Sequence, residues 1–109
     1  MRAMSKSVSL QQAEWRGRSG MIYRLWHEAL DSFVLSGSEL YALSLEDRII
    51  WAGALADVLN DMTSRTRFRR ALRIADAAFR CPSPVEGLDR LSLAWDLEGA
   101  LPLRARNAA

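Results

Sequence analysis

The stretch of residues 21–34 constrains the fold most, because its apolar side chains are spread too widely for one side of a simple helix. On a helical wheel at about 100° per residue they cover about 220°. The residues concerned are Met21, Ile22, Leu25, Trp26, Ala29, Leu30, Phe33 and Val34. A helix that covers one side of a core needs an apolar stripe only a little wider than about 100°. We therefore expect a helix that is either surrounded by other helices or leaves a second apolar surface for another chain.

The length and composition favour one globular domain without a membrane segment or a disulfide. With 109 residues the chain is long enough for a single core, and half of its residues are apolar. It holds no apolar run of about 18 residues, and residues 1–12 lack the apolar segment of a secretory signal. We expect residues 1–109 to form one domain of a cytoplasmic protein. Because Cys81 is the only cysteine and His27 the only histidine, we expect neither a disulfide nor a structural zinc site.

Helix signals run along most of the chain and predict an all-α fold. The clearest is Ser83 followed by Pro84 and Glu86, which combines a capping residue, a proline at the first helical position and a carboxylate that reaches back. The predicted helices are a short one over residues 10–15 and four main ones over 20–35, 44–60, 64–80 and 84–98. Strand signals are weak throughout, with a short extended segment at either residues 33–35 or residues 40–43 as the exception. The predicted fold is a small bundle of about four helices with flexible ends, namely residues 1–8 and 100–109.

Arginine is concentrated in one segment. Fourteen of the fifteen basic residues are arginine, and six of these lie between positions 65 and 80, in the third main helix. Arg65, Arg69 and Arg73 share one side of that helix with Arg80, where like charges repel each other. One interpretation is a surface for an acidic protein, a phosphate or a nucleic acid. The other is a solvated face whose charge is relieved by nearby carboxylates, those of Asp57, Asp61 and Asp76.

The second and third main helices invite comparison with a helix-turn-helix motif, but the alignment fits poorly. With Ala56 as the small residue of the first helix, Asn60 stands where a turn glycine is usual. Thr66 then takes the place of a buried aliphatic residue, and Asp57 and Asp61 face the phosphates. The arginines are also not interleaved with aromatic residues that would stack on RNA bases. We therefore do not expect direct nucleic-acid binding.

Four tryptophans in 109 residues each need a place in the fold. Trp51 and Trp95 fall on the inward arcs of their predicted helices, so we expect both in the core. Trp26 lies at the edge of the wide apolar arc and Trp15 lies in a short segment with little core of its own. These two are candidates for interface anchors, with burial in the monomer as the alternative. The candidate partner-binding residues are Ile22, Tyr23, Trp26, Leu30 and Phe33, with Arg65, Arg69 and Arg73 as a secondary set.

The fourth main helix predicts a further apolar surface. Its inward stripe consists of Val85, Leu88, Leu91 and Trp95. Leu93 and Leu97 lie away from that stripe, where they are placed to meet a second subunit. Together with the excess apolar arc of the first main helix, these two leucines predict a homodimer.

The sequence predicts neither an enzyme nor a cofactor site. His27 stands beside Glu28 and four residues before Asp31, with no serine or cysteine placed to complete a triad. We interpret His27 as a surface histidine, and Cys81, just before Pro82, as a packed side chain rather than a reactive thiol. No phosphate-binding glycine loop is present in the sequence. These features indicate a protein that acts by occluding a partner and not by catalysing a reaction.

Segments such as YRLWHEALDSF and RFRRALRIADAAFR, in a small, Arg-rich and Lys-poor chain of predicted helical character, resemble the QslA-like quorum-sensing antiactivators of pseudomonads. The resemblance concerns length, composition and these segments, and no functional position is carried over from it. It implies a dimer that binds the ligand-binding domain of a LuxR-type, LasR-like transcription regulator. It also implies that binding blocks the regulator's dimerisation and its DNA binding. The alternative is a small nucleic-acid-binding regulator that uses the Arg-rich third main helix.

Overall fold

The computed structural model describes residues 12–81 and 90–103, which form a six-stranded sheet and three α-helices. The strands are β1 (Gln12–Arg16), β2 (Ile22–Glu28), β3 (Leu40–Ser44), β4 (Ile49–Gly53), β5 (Ala77–Cys81) and β6 (Leu101–Pro102). The α-helices of the described residues are α1 (Leu55–Asn60), α2 (Met62–Ile74) and α3 (Arg90–Leu97), and a 3-10 turn covers Leu30–Ser32. The strands form one antiparallel sheet in the order β4-β3-β5-β2-β1-β6. The predicted all-α bundle is therefore wrong.

The stretch that predicted a wide helix forms β2 and a connecting segment instead. In β2, Tyr23 and Leu25 are buried on one face of the sheet, while Ile22, Arg24 and Trp26 lie on the other face. This alternation with a period of two is typical of a strand, and aromatic and β-branched residues suit it. Because both faces carry apolar residues, the same pattern covers a wide arc when it is drawn on a helical wheel.

β1 and β2 form a hairpin with a tight turn. The register sets Trp15 opposite Tyr23, and both side chains are buried. The Gly17 N–H donates to Met21 O at 2.8 Å, and the Gly20 N–H donates to Gly17 O at 3.0 Å. Gly20 has a φ of +97°, a conformation that glycine adopts without a steric penalty. The glycine pair that predicted a helix end therefore builds a β-turn. The short helix predicted over residues 10–15 is wrong over residues 12–15, which belong to β1, and residues 10–11 lie outside the described residues.

The first core lies between one face of the sheet and α3. Leu93 and Leu97 of α3 are buried there among residues from five strands, namely Trp15, Tyr23, Leu25, Leu40, Ala42, Ile49, Phe79 and Cys81. The burial of Cys81 confirms its interpretation as a packed side chain. Each large apolar side chain removed from water contributes about 1.5–3 kcal/mol. This core therefore holds α3 firmly against the sheet.

The second core lies on the opposite face, beneath α2 and the segment that follows β2. The ring of Phe68 in α2 lies 4.8 Å from that of Trp51, and the ring of Phe33 lies 5.5 Å from that of Tyr41 (centroid to centroid). The other buried members are Leu43, Val58, Ala71 and Ala78. The burial of Trp51 in this core confirms its prediction. The sheet is thus covered on both faces at the end formed by β3, β4 and β5.

The two ends of the sheet meet at Ile49, the first residue of β4. The Ile49 N–H donates to Ala100 O at 3.0 Å, and the Gly99 N–H donates to Ile49 O at 2.8 Å. These bonds join β4 to the residues just before β6, so the sheet curls into a partly closed barrel. Further along the same edge, the Ala52 N–H donates to the Glu98 carboxylate at 3.1 Å. The residues at the end of α3 therefore protect the β4 edge.

Two of the predicted helices are only partly correct. The helix predicted over 64–80 is α2 as far as Ile74, after which β5 begins. The helix predicted over 44–60 is helical only in α1, because Glu46 and Asp47 make the turn between β3 and β4 with φ values of +48° and +64°. Helix propensity is a weak preference, and the pairing of β5 with both β3 and β2 overrides it.

The chain after α3 is more ordered than predicted. Ala100 is buried, β6 follows it, and the Leu103 N–H donates to Glu14 O at 2.9 Å. The flexible end predicted from residue 100 is therefore wrong as far as Leu103. Within the helix predicted over 84–98, α3 is confirmed, and β3 confirms an extended segment at 40–43. Parts of other predictions lie outside the described residues, namely residues 1–8, 82–89 and 104–109.

Candidate protein-binding surface

The buried and exposed sides of α3 are the reverse of those predicted. Leu93 and Leu97 are 1% and 0% exposed, whereas Leu91 and Trp95 are 67% and 60% exposed. Leu91 and Trp95 stand four residues apart, so they form one apolar ridge along the outer side of the helix. The expectation that Trp95 is a core residue and that Leu93 and Leu97 meet a second subunit is wrong. The exposed apolar surface of α3 is the Leu91–Trp95 ridge.

A buried carboxylate determines which side of α3 faces the sheet. Asp96 accepts hydrogen bonds from the Ser19 N–H at 2.6 Å, the Ser19 hydroxyl at 2.8 Å and the Tyr23 hydroxyl at 2.7 Å. Its backbone oxygen accepts from the Arg18 N–H at 2.9 Å. These four bonds tie α3 to the β1–β2 turn. Because Asp96 follows Trp95 directly, its inward position leaves the Trp95 side chain at the surface.

Ionisation of Asp96 is favoured by this network. Burial by itself raises the pKa of the Asp96 carboxyl, but hydrogen bonds from Tyr23, Ser19 and the Arg18 backbone outweigh it and hold the pKa below its usual range. Burial, together with the hydrogen bond to Asp96 and its negative charge, raises the pKa of the Tyr23 hydroxyl. Tyr23 thus remains a neutral donor to a charged acceptor, which is a strong hydrogen bond.

Gly17 permits the close approach of the β1–β2 turn to α3. A Cβ atom at this position would lie 2.6 Å from Asp96 Oδ2 and 2.8 Å from the Asp96 backbone oxygen. Any larger residue would therefore push the turn away from the helix. The glycine is needed here for the packing of the two elements and not for its dihedral freedom.

An apolar groove lies between the β1–β2 turn and the outer side of α3. Its volume is about 510 Å³, and it is lined by Ser19, Met21, Leu91, Ser92, Trp95 and Asp96. The Arg18 guanidinium stands over the Trp95 ring, 4.8 Å from Cζ to the ring centroid, and Arg18 Nε donates to Glu98 O at 2.6 Å. This cation–π contact restrains the indole although it is largely exposed. The groove therefore has a partly ordered aromatic wall before any partner binds.

A second cavity of about 210 Å³ lies on the other side of the Leu91–Trp95 ridge, between α3 and α2. Arg67 and Glu98 line it as an ion pair, in which Arg67 donates to both carboxylate oxygens at 2.9 and 3.0 Å. Asp57 also lines it and pairs with Arg90 at 2.9 Å. Burial raises the pKa of Asp57, but hydrogen bonds from Arg90 and the Ala54 N–H outweigh it and lower the pKa. The ridge is thus bordered by an apolar groove on one side and by paired charges on the other.

The secondary set of arginines does not act as one group. Arg65 donates to the carbonyl oxygens of Val58 and Leu59, at 3.2 and 3.1 Å, and so completes hydrogen bonds at the end of α1. Arg69 and Arg73 are exposed, and within the described part of the chain no ion pair joins them to a carboxylate. Arg65 therefore has a structural role, whereas Arg69 and Arg73 point their charges to solvent.

The carboxylates expected to balance these arginines are engaged elsewhere. Asp57 pairs with Arg90, and Asp61 caps α2 by accepting from Ser64. Asp76 accepts from the Glu46 N–H at 2.9 Å and so supports the β3–β4 turn. The local charge of α2 is thus less neutralised than the sequence suggested.

The structure does not bring the five candidate partner-binding residues together. Ile22 is exposed and Trp26 is half-buried on the outer face of β2, whereas Tyr23 points into the first core. Leu30 and Phe33 are half-buried and pack against the second core. Trp15, the other tryptophan proposed as an anchor, is buried. The five residues, which were predicted to lie together on one helix, are therefore divided among the two faces of β2 and the segment that follows it.

The groove is not evident from the sequence because both sides of α3 are apolar. Leu91 and Trp95 form one possible inner stripe, and Leu93 and Leu97 form another. Asp96 belongs to the second stripe, and a carboxylate normally indicates an exposed side. The Ser19 and Tyr23 partners that satisfy Asp96 are more than seventy residues away, so no local signal identified its burial.

His27 and the carboxylates of the described residues are candidate catalytic or metal-binding groups. His27 is exposed, as predicted, with its ring centroid 4.6 Å from that of Phe79, and partial burial lowers its pKa. In residues 12–81 and 90–103, no three His, Cys, Asp or Glu side chains are grouped to hold a metal ion. Nor does that part of the chain contain a helix with the length and apolar character to cross a bilayer.

Comparison with protein-family models, with curated proteins and with solved structures found no match to this chain.

Proposed function

We propose that this is a regulatory protein that acts by binding another protein through the apolar groove and the Leu91–Trp95 ridge. The exposed Trp95 side chain is the observation that carries the proposal. An indole that is 60% exposed, beside an exposed leucine and methionine, leaves apolar area in water that a partner would cover. Tryptophan and arginine are also the residues in which binding energy concentrates at protein interfaces, and here Arg18 and Trp95 are in contact.

The resemblance to quorum-sensing antiactivators supplies a specific partner for this proposal. On that reading the groove binds the ligand-binding domain of a LuxR-type, LasR-like regulator and prevents its dimerisation and DNA binding. Part of the resemblance is predicted helical character, which the structure corrects, so the general proposal does not depend on the resemblance. The regulator is the first partner to test because it is the one specific partner that the resemblance implies.

The proposal is tested by comparing two tryptophan variants. Trp95→Ala removes the exposed anchor, and Trp26→Ala removes the half-buried tryptophan that sequence analysis favoured. Binding of each purified variant to a LuxR-type ligand-binding domain is measured by titration calorimetry. We expect Trp95→Ala to weaken binding about 30-fold, because a central aromatic anchor contributes about 2 kcal/mol or more. Trp26→Ala should change affinity less than about threefold.

One control and two contradicting outcomes complete this test. Circular dichroism must show that each variant keeps the wild-type fold, because Trp26 is half-buried. If Trp95→Ala binds as tightly as wild type, the groove is not the binding site. If the regulator does not bind, wild type and Trp95→Ala are each used to capture binding proteins from a host extract. A captured protein that both retain equally contradicts the proposal.

The homodimer stays a prediction, but not through Leu93 and Leu97. These two leucines are buried in the first core, so they cannot contact a second subunit. Light scattering at micromolar concentration should give twice the monomer mass. A monomeric mass for the wild type would contradict the homodimer and would leave the proposed binding of another protein unchanged.

A further inference from the structure

Three cavities lie in series across the surface, and neighbours share lining residues. The apolar groove and the second cavity share Leu91 and Trp95. The second cavity shares Arg67 with a third, of about 170 Å³, lined by Ile50, Arg67, Arg70, Ala71 and Ile74. A continuous surface therefore runs from the β1–β2 turn, over α3, to the outer side of α2. We call it the extended surface.

The character of the extended surface changes from one end to the other. Met21, Leu91 and Trp95 make the groove end apolar. At the α2 end, Arg70 lies beside the third cavity, and Arg69 and Arg73 follow on the exposed side of the same helix. No ion pair with another described residue neutralises these three arginines, whereas Arg67 and Arg90 nearby are paired.

The unpaired arginines lie at spacings where like charges repel. Arg69 and Arg73 are four residues apart, and Arg70 and Arg73 are three apart, so each pair shares one side of α2. An anionic partner would relieve this repulsion and gain charge-assisted hydrogen bonds from the guanidinium groups. The α2 end therefore favours negative charge in whatever covers it.

We infer that the partner contributes a protein segment with an apolar anchor for the groove and acidic residues for Arg69, Arg70 and Arg73. This inference rests on the proposed function and specifies the chemistry of the partner. Met62 and Ile74, which are 72% and 51% exposed, flank the arginines on α2. Methionine and arginine together are typical of protein interfaces. Neither Met62 nor Ile74 offers a ring on which a nucleic acid base would stack beside these arginines, and the exposed Trp95 ring already carries the Arg18 guanidinium over one face. A phosphate backbone supplies no apolar group for the groove.

The inference is tested by selecting ligands from a displayed library of random peptides of about 15 residues, which as a helix would span about 20 Å. The wild-type protein is the target, and the Trp95→Ala variant is used to remove peptides that bind elsewhere. We expect the selected peptides to contain a cluster of apolar residues joined to a run of Asp and Glu. Their affinities are then measured by fluorescence anisotropy.

Two variants separate the two ends of the extended surface. Arg70→Ala with Arg73→Ala should weaken an acidic peptide about threefold to tenfold, because exposed ion pairs each contribute at most about a fivefold change. The loss should shrink at high salt and vanish for the same peptide with Gln in place of its acids. Trp95→Ala should weaken both peptides equally. Arg16→Ala with Arg48→Ala removes two other exposed arginines that form no ion pair with a described residue. This variant is the matched control and should have no effect.

Each outcome of the selection decides one of the two proposals. Selected peptides that are apolar without acids, and that lose affinity only with Trp95→Ala, would overturn the inference and leave the proposed function standing. Failure to enrich any peptide that depends on Trp95 would overturn both. Binding of duplex DNA by the wild type at near-physiological salt, with loss of that binding in the Arg70→Ala, Arg73→Ala variant, would also overturn the inference in favour of a nucleic-acid partner.

Discussion

α2 exposes arginines and α3 exposes a leucine and a tryptophan, although the two helices cover opposite faces of one sheet. The inner side of α2 packs through Phe68, Ala71 and Leu72 against the second core, and its outer side is strongly charged. α3 is apolar on both sides and buries its only carboxylate, Asp96. A helix with one charged side can pack in only one orientation. A helix with two apolar sides needs a further interaction to choose between them.

The difference also separates the structural and the binding roles of the two helices. Removal of an outer residue of α2 removes charge, whereas removal of an outer residue of α3 removes apolar surface that is largely exposed to solvent. If Asp96 decides the orientation of α3, substitutions on its two apolar sides should have very different effects on stability. The four predictions below test this comparison.

The largest expected effect comes from the buried side of α3. Leu97→Ala should lower the free energy of unfolding by about 3 kcal/mol, because it leaves a cavity in the first core. Leu91→Ala should change it by no more than about 0.5 kcal/mol, because the side chain is 67% exposed. Urea denaturation followed by circular dichroism measures both values. Equal losses for the two variants would mean that α3 has no preferred side.

A smaller loss is expected when the buried carboxylate is replaced. Asp96→Asn removes the charge and one acceptor oxygen while donors from Ser19 and Tyr23 still face it, so we expect a loss of about 2 kcal/mol. Asp61→Asn, at the exposed start of α2, keeps an oxygen that accepts from Ser64 and should cost less. The same denaturation experiment compares them. A greater loss for Asp61→Asn would contradict the role given to Asp96.

The Asp96 network should also make stability depend on pH in a defined direction. The folded state holds the pKa of the Asp96 carboxyl below its value in the unfolded chain, so its contribution is present above pH about 4 and is lost as the pH falls. The wild type should therefore lose more stability than Asp96→Asn between neutral pH and pH about 3. Asp57 and Asp61, whose pKa values are also lowered, remain in both proteins. Parallel pH profiles would count against an ionised Asp96.

The smallest effect is expected on the outer side of α2. Arg70→Ala with Arg73→Ala should leave stability unchanged or raise it by at most about 0.5 kcal/mol at low salt, because it removes like-charge repulsion. Arg67→Ala is the contrasting variant, since it breaks the ion pair with Glu98 and should cost up to about 1 kcal/mol. Thermal unfolding at two salt concentrations measures these changes. A clear loss for the Arg70 and Arg73 variant would show that these arginines stabilise the fold.

Sequence patterns were informative where one side of an element differed chemically from the other. The apolar side of the third main helix, with Phe68, Ala71 and Leu72, predicts which side of α2 is buried, and this is confirmed. The burial of Trp51 is also confirmed, although Trp51 lies in β4 and not in the predicted helix. Sequence patterns were misleading in β2, where Tyr23 and Trp26 lie on opposite faces of the sheet although both were predicted on one side of a helix. They also failed in the groove, whose walls come from the β1–β2 turn and from α3, about seventy residues apart along the chain.

By itself the sequence determined that α2 and α3 are helices and which side of α2 is buried. Those features depend on neighbours three or four positions away. Only the tertiary structure decided that residues 22–28 and 77–81 are strands and that Trp95 faces solvent. Helix propensities differ by less than about 1 kcal/mol per residue for most residues, so pairing across a sheet can override them. Similarly, the burial of Asp96 is favourable only once Ser19 and Tyr23 are folded beside it.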